Sequence, residues 1–296
     1  MKSNASLATD KASALSSLLK SGIMYAMLSS LVFSVMNALV KEVSVNVPSS
    51  EVAFFRGLIG TVIIFFMMRS AKVPFSNKGI PMLCLRGVLG ALYLMAYFYT
   101  ISKIPLTDAS ILAHMTPIFT FILAALLLKE RVSRSTLYVL PIFIIGALLL
   151  VKPFNYTSYS IYALVGILSA VLAAAAGISI RILTKSHHTY EIVFYFLAIA
   201  TVVAVPFMWS GFVIPSLTDS LYLLGIGVVS LVGQLVLTKA FSHENAVVVE
   251  IVRYIGIVYN AMWGFLFWAE VPDLLTITGG ILVVGGCILL SRRKTA

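Results

Sequence analysis

Apolar residues run through this chain in ten stretches, at 22–40, 52–68, 84–102, 105–128, 136–151, 159–180, 192–209, 220–238, 246–268 and 274–291, parted by short polar segments. A helix needs roughly 20 apolar residues to cross the hydrocarbon core of a bilayer, which is about 30 Å thick. The pattern therefore predicts an all-α integral membrane protein with ten transmembrane helices. The first twenty residues carry Lys2, Asp10, Lys11 and Lys20 among serines and alanines, with no apolar core, and do not read as a cleaved signal.

The pattern is used twice. Displaced by 140 residues, 27–152 aligns with 167–292 without a gap, and 22 of the 126 positions are identical, where about 10 are expected from so apolar a composition. The matches include Glu51 with Glu191, Thr61-Val62 with Thr201-Val202, Gly87-Val88 with Gly227-Val228, Glu130 with Glu270 and Gly146 with Gly286. Five spans per half is an odd number, so the second copy enters the membrane from the other face. A direct repeat in sequence then becomes an inverted repeat in space. The expected organisation is a tail at 1–21, a five-helix repeat at 22–152, a second, inverted repeat at 159–292 and a tail at 293–296. Inverted repeats are the recurring device of alternating access, with substrate near the midplane between the halves. Structural duplication alone gives no reason for two mirrored bundles.

Composition narrows the function classes. The chain is 60% hydrophobic and 11% charged, with mean hydropathy +1.03, whereas soluble chains are about 25% charged. A water-soluble enzyme, a disordered chain and a disulfide scaffold are excluded. Cys84 and Cys287 form no spaced framework, and no metal or cofactor site is expected. The net charge of +10 would suggest nucleic acid in a soluble protein, but here its distribution follows topology. With a cytoplasmic N-terminus, sixteen Lys and Arg fall to the inside, Arg86 among them, and only Lys41, Lys103 and Lys152 to the outside. This positive-inside bias places both termini in the cytoplasm of a multi-pass inner-membrane protein. Arg292-Arg293-Lys294 then reads as an anchor rather than a nucleic-acid patch.

Candidate chemistry lies where polarity is costly. Glu250 and Arg253 are three apart in the ninth span and share a helix face, either as an internal ion pair or as a site for a zwitterion or protonatable switch. The repeat sets His114 opposite Tyr254 and Ser110 opposite Glu250, so these face one pseudo-symmetric space, and His114 titrates near neutrality. Asn37, Tyr97 and Gln234 offer further donors and acceptors, with interhelical hydrogen bonding as the competing role. Pro117 is expected to break the fourth span as a hinge, and Glu130 and Glu270 end equivalent spans as gate or boundary residues. Arg56 is read as snorkelling or paired with Glu51. Gly87 and Gly90 serve close packing, and Gly279-Gly280 with Gly285-Gly286 leave a homodimer contact through the tenth span open.

Four segments resemble the EamA branch of the drug/metabolite transporter superfamily: Glu51-Val52-Ala53-Phe54-Phe55-Arg56, Ile104-Pro105-Leu106 through Thr116-Pro117, Leu128-Lys129-Glu130, and Arg253-Tyr254 with Glu270-Val271-Pro272-Asp273. The resemblance implies a ten-helix carrier of five-plus-five inverted repeats whose cavity is lined by the first, third and fourth helices of each half. Glu51 to Arg56 and Lys239-Ala240-Phe241 to Arg253-Tyr254 are also similar to S-adenosylmethionine uptake carriers. Small four-helix relatives couple to protons through a glutamate in the first helix; the span 22–40 holds no acidic residue, so that mechanism does not transfer. The expected function is secondary transport of a small organic metabolite by alternating access, proton-coupled or by exchange, since no ATP-binding Gly-x-x-x-x-Gly-Lys motif is present. The competing class, a membrane enzyme acting on lipids, would need a clustered catalytic constellation, and the histidines cluster only at His187-His188.

Overall fold

The computed structural model describes residues 22–103, 115–128, 160–209, 211–269 and 274–293, together with 112, 138, 139, 141, 142, 144–146 and 149. Among these every regular element is helical. In chain order they are α1 (Gly22–Val43), α2 (Ser49–Ser70), α3 (Ile80–Lys103), α4 (Thr116–Leu123) continuing as a π-helical turn (Ala124–Leu128), α5 (Ser160–Leu183), α6 (Thr189–Trp209), α7 (Leu217–His243), α8 (Ala246–Val252), α9 (Ile255–Trp268) and α10 (Leu274–Arg293). Seven stretches of the described residues are long and apolar enough to cross a membrane. The expected fifth span lies largely outside the described residues.

Local signals set the helix ends. Pro48, with its fixed φ, stands immediately before α2. Ser216 and Asp219 close a reciprocal capping box at the start of α7, the Asp219 amide donating to Ser216 Oγ at 3.1 Å and the Ser216 amide to the Asp219 carboxylate at 3.2 Å. α9 stops at Ala269, which takes a left-handed φ of 53°.

Glycines fix which helices touch. α1 and α7 run antiparallel, with Gly22 against Glu244, Gly233 against Phe33 and Gly225 against Leu39. α2 and α6 also cross antiparallel; a Cβ added at Gly57 would lie 2.5 Å from Thr201 Oγ1. Two contacts are reciprocal at the repeat spacing: Gly87 on α3 faces Ile199 on α6, and Gly227 on α7 faces Ile59 on α2. Gly87 and Gly90 thus pack helices within the chain. Large apolar side chains such as Phe66, Val202, Leu126 and Ile281 stand at least 66% exposed, an outer surface suited to lipid rather than water.

The bundle has two distinct ends. At one, the 71–79 loop meets the 184–188 loop, where His187 Nε2 lies 3.0 Å from the Lys78 carbonyl, and Arg181 donates to the carbonyls of Phe241 and Ser242 that close α7. At the other, Asn46 donates to Asp219 at 3.1 Å. A buried glutamate secures each end. Glu51, opening α2, accepts from the Val213 amide at 3.0 Å, and Glu191, opening α6, accepts from the Ser76 amide and hydroxyl at 2.6 and 2.8 Å.

Candidate functional site

The ninth apolar run is interrupted. α8 ends at Val252, Arg253 and Tyr254 form a turn, and α9 resumes at Ile255. Neither turn residue is proline or glycine. The exposed Arg253 carbonyl is taken up by the Gly256 amide at 2.9 Å and by Ser30 Oγ of α1 at 3.4 Å. In the first half Met115 forms a turn just before α4 begins, and the repeat spacing sets it opposite Ile255. Pro117 sits in the first turn of α4, where its missing N–H interrupts no helical bond. α4 and α8 pack against each other. Irregular backbone at membrane depth is tolerated where it is buried in protein or lines a cavity, and interrupted helices are the recurring frame of transporter sites.

Charges gather at this break. Glu250, at the end of α8, accepts both bonds from one Arg253 nitrogen, Nη1, at 2.9 and 3.0 Å. Glu250 is 6% exposed and the Arg253 side chain 33%, so the pair joins the protein interior to a more open space. Gly177 of α5 makes room for it; a Cβ there would lie 3.3 Å from Glu250 Oε1. Tyr254 is buried beside the pair. Tyr93 of α3 lies within electrostatic reach of Arg253, Glu250 and Arg56, and its ring stacks on Tyr97 at 6.0 Å between centroids.

Two arginines complete the cluster, and sequence reasoning placed both elsewhere. Arg56 is buried, and its Nε donates to Ser230 on α7. It does not reach Glu51: five residues along a helix are about 140° apart around the axis, and Glu51 is turned to the 211–216 loop. Arg86 is no boundary charge, because α3 begins at Ile80 and carries it in the second turn. Its guanidinium carbon lies 4.2 Å from the Phe196 ring centroid of α6, a cation–π geometry. Nε and Nη1 of Arg86 are buried without a hydrogen-bond partner among the described residues. The charges of Arg56 and Arg253 both act on it. A sequence signal existed: Gly90 follows Arg86 by one turn, and a Cβ there would lie 2.2 Å from Arg86 Nη1.

The other expected residues fall variously. Gln234 is buried on α7, one turn from Ser230, and its Oε1 has no partner among the described residues. Asn37 is exposed and donates across to Asn260 of α9 at 3.4 Å, on the α1 face that also gives Ser34 to Trp263 Nε1 at 2.8 Å. His114, Glu130 and Glu270 lie outside the described residues.

Among the described residues three guanidinium groups stand against one carboxylate, an imbalance lipid does not support. A charge at the bilayer centre costs roughly 2.5–3.5 kcal/mol on insertion scales, so the arrangement calls for water or a counter-charge. The frame is duplicated but the charges are not: the repeat sets Phe196 opposite Arg56, Ile226 opposite Arg86 and Ala113 opposite Arg253.

The pattern of the EamA-like transporter family matches this chain twice, over residues 20–152 and 160–292. The chain belongs to that family. This EamA-like transporter is 60% identical over 278 residues to the pseudopaline exporter CntI of Pseudomonas aeruginosa strain UCBPP-PA14, covering 94% of this chain and 98% of the exporter. It is 24% identical over 277 residues to the S-adenosylmethionine uptake transporter of Rickettsia prowazekii, covering 93% of this chain and 94% of that one. A solved crystal structure with 17% identity superposes with a TM-score of 0.80, covering 93% of this chain and 99% of its own, which shows a shared fold. The EamA-like chain is thus a multi-pass membrane transporter of small molecules and not an enzyme, so the lipid-enzyme reading falls.

Proposed function

We propose that this transporter exports pseudopaline, or a compound of closely similar chemistry, across the inner membrane by alternating access. The observation that carries the substrate is the 60% identity over 98% of the pseudopaline exporter's length. The mechanism is that of a ten-helix carrier built as inverted repeats at 22–152 and 159–292, with tails at 1–21 and 293–296.

Reciprocal contacts support the inverted repeat. In a two-fold arrangement each contact is made twice, with partners exchanged. Gly87 against Ile199 and Gly227 against Ile59 obey that rule, and all four positions are identical between the halves. Glu51 on the loop after α6 and Glu191 on the loop after α2 repeat it at opposite ends. The end bearing Arg69, Lys72, Lys78, Arg181 and Lys185 is then cytoplasmic by the positive-inside rule, with both termini on that side. The proposed substrate contacts are Asn37, Tyr97, His114, Gln234, Glu250, Arg253 and Tyr254, and the proposed gate or hinge residues are Pro117, Glu130 and Glu270. Energy comes from an ion gradient or exchange.

Everted membrane vesicles test the assignment. Vesicles carrying the chain accumulate pseudopaline without ATP, and vesicles lacking it do not. Equal accumulation in both refutes the substrate.

A further inference from the structure

The proposed export reading names a compound but no group that recognises it, and the charge asymmetry of the cluster supplies one. We infer that Arg86, with Arg56 and Arg253, forms an anion receptor in the membrane interior that binds a ligand carrying two or more carboxylates. The inference rests on the carrier reading of this same site.

Three observations support it. Among Arg56, Arg86, Arg253 and Glu250 only the last pair is joined, which leaves a surplus of two positive charges with no carboxylate against them among the described contacts. Arg86 is also closely packed. Phe196 lies against one face, and the bare Gly90 backbone admits the guanidinium from the turn above. Nε and Nη1 of this arginine are buried without acceptors among the described residues, a deficit that a carboxylate, arginine's usual charge-assisted partner, would answer. Finally, the surplus is absent from the mirrored positions, Phe196, Ile226 and Ala113. A purely structural role would be expected at both copies of the repeated frame; a ligand-binding role needs only one.

The number of carboxylates follows from the number of free cations. A monocarboxylate would neutralise Arg86 and leave Arg56 with the Ser230 hydroxyl as its one hydrogen-bond partner among the described residues. A second acidic group on the same ligand answers Arg56 or competes with Glu250 for the half-open Arg253.

The test uses the purified full-length protein in detergent with citrate as probe, trimethyl citrate as its uncharged counterpart and phosphatidylglycerol as the anionic-lipid alternative. Isothermal titration should show saturable citrate binding, none by the ester, and no displacement of citrate by the lipid. R86Q should weaken citrate binding at least tenfold, and R86K, which keeps the charge but not the fork, should fall between. If R86Q is not monodisperse, R86K alone decides, with a loss of several-fold expected. Equal binding of citrate and ester, full displacement by phosphatidylglycerol, or wild-type citrate affinity in R86K and R86Q overturns the receptor. Binding is read here without transport. Failure of pseudopaline export therefore refutes the export assignment while citrate binding still judges the receptor, and export with no citrate effect does the reverse.

Discussion

The Glu250–Arg253 pair separates a structural ion pair from a working one. Arg253→Gln leaves the Glu250 carboxylate 6% exposed, packed against Gly177 and stripped of both its bonds. Removing one partner of a buried pair costs about 3–5 kcal/mol, because the other charge is left uncompensated. Glu250→Gln strands Arg253 instead, whose side chain is one-third exposed and reaches solvent. Its penalty is the smaller, on the order of 1–2 kcal/mol once solvent screening is allowed for. At roughly 2 °C per kcal/mol for a chain of this size, Arg253→Gln should lower the melting temperature by about 6–10 °C and Glu250→Gln by only a few degrees. The double Gln variant removes both charges and should recover most of the stability. It should not recover transport, since the site would have lost its interior carboxylate and one of its cations. Melting of the detergent-solubilised proteins and uptake into everted vesicles read the two effects apart. Wild-type transport by the double variant, or equal melting shifts for the two single variants, would refute this reasoning.

A reporter active in the cytoplasm should work at Ser76, at Ser186 and after Lys294, and be silent at Val47, Asn155 and Ser216; activity at Ser216 breaks the ten-span topology. Glu191→Ala removes two short charged hydrogen bonds from Ser76 and should destabilise by about 3–6 kcal/mol, against about 1.5–3 for Glu51→Ala, which loses the one from Val213. Melting curves in which Glu51→Ala is the worse variant contradict the contacts at the two ends. Gly57→Ala drives a methyl onto Thr201 Oγ1 and towards the Thr201 and Leu197 backbone, whereas a Cβ at Gly280 meets only Val258 Cγ2 at 3.9 Å, an ordinary contact that Gly280→Ala tolerates. Gly57→Ala should therefore give the lower yield of monodisperse protein.

Most of the frame was legible in the sequence because lipid imposes a coarse rule, about 20 apolar residues per crossing. The described helices α1, α2, α5, α6 and α7 follow the apolar runs, extended by a few residues into their caps. The identities shared by the halves carried more than expected. Glu51 and Glu191 tie the two ends, and Gly87, Gly227, Ile59 and Ile199 meet where the halves touch. The Glu250–Arg253 pair was readable from helical spacing alone. Arg56 and Arg86 were not. Each lies within two turns of a helix start, where a charge is ordinarily explained by the interface, and only the tertiary crossings of α2 with α7 and α3 with α6 turn them inward. The break at Arg253–Tyr254 was equally hidden, because it contains neither proline nor glycine, and its freed carbonyl is met by the Gly256 amide and approached by Ser30 of α1.

The claim that the two ends open in turn around one central site is tested most directly by distances measured at both ends of the same protein. Spin-label pairs at Val45 with Phe212 and at Phe75 with Lys185 report the two ends through pulsed electron–electron resonance in liposomes. Adding pseudopaline should lengthen one distance as it shortens the other, and Arg86→Gln should abolish that response. Two ends that open together, or that stay fixed while transport proceeds, would contradict the account.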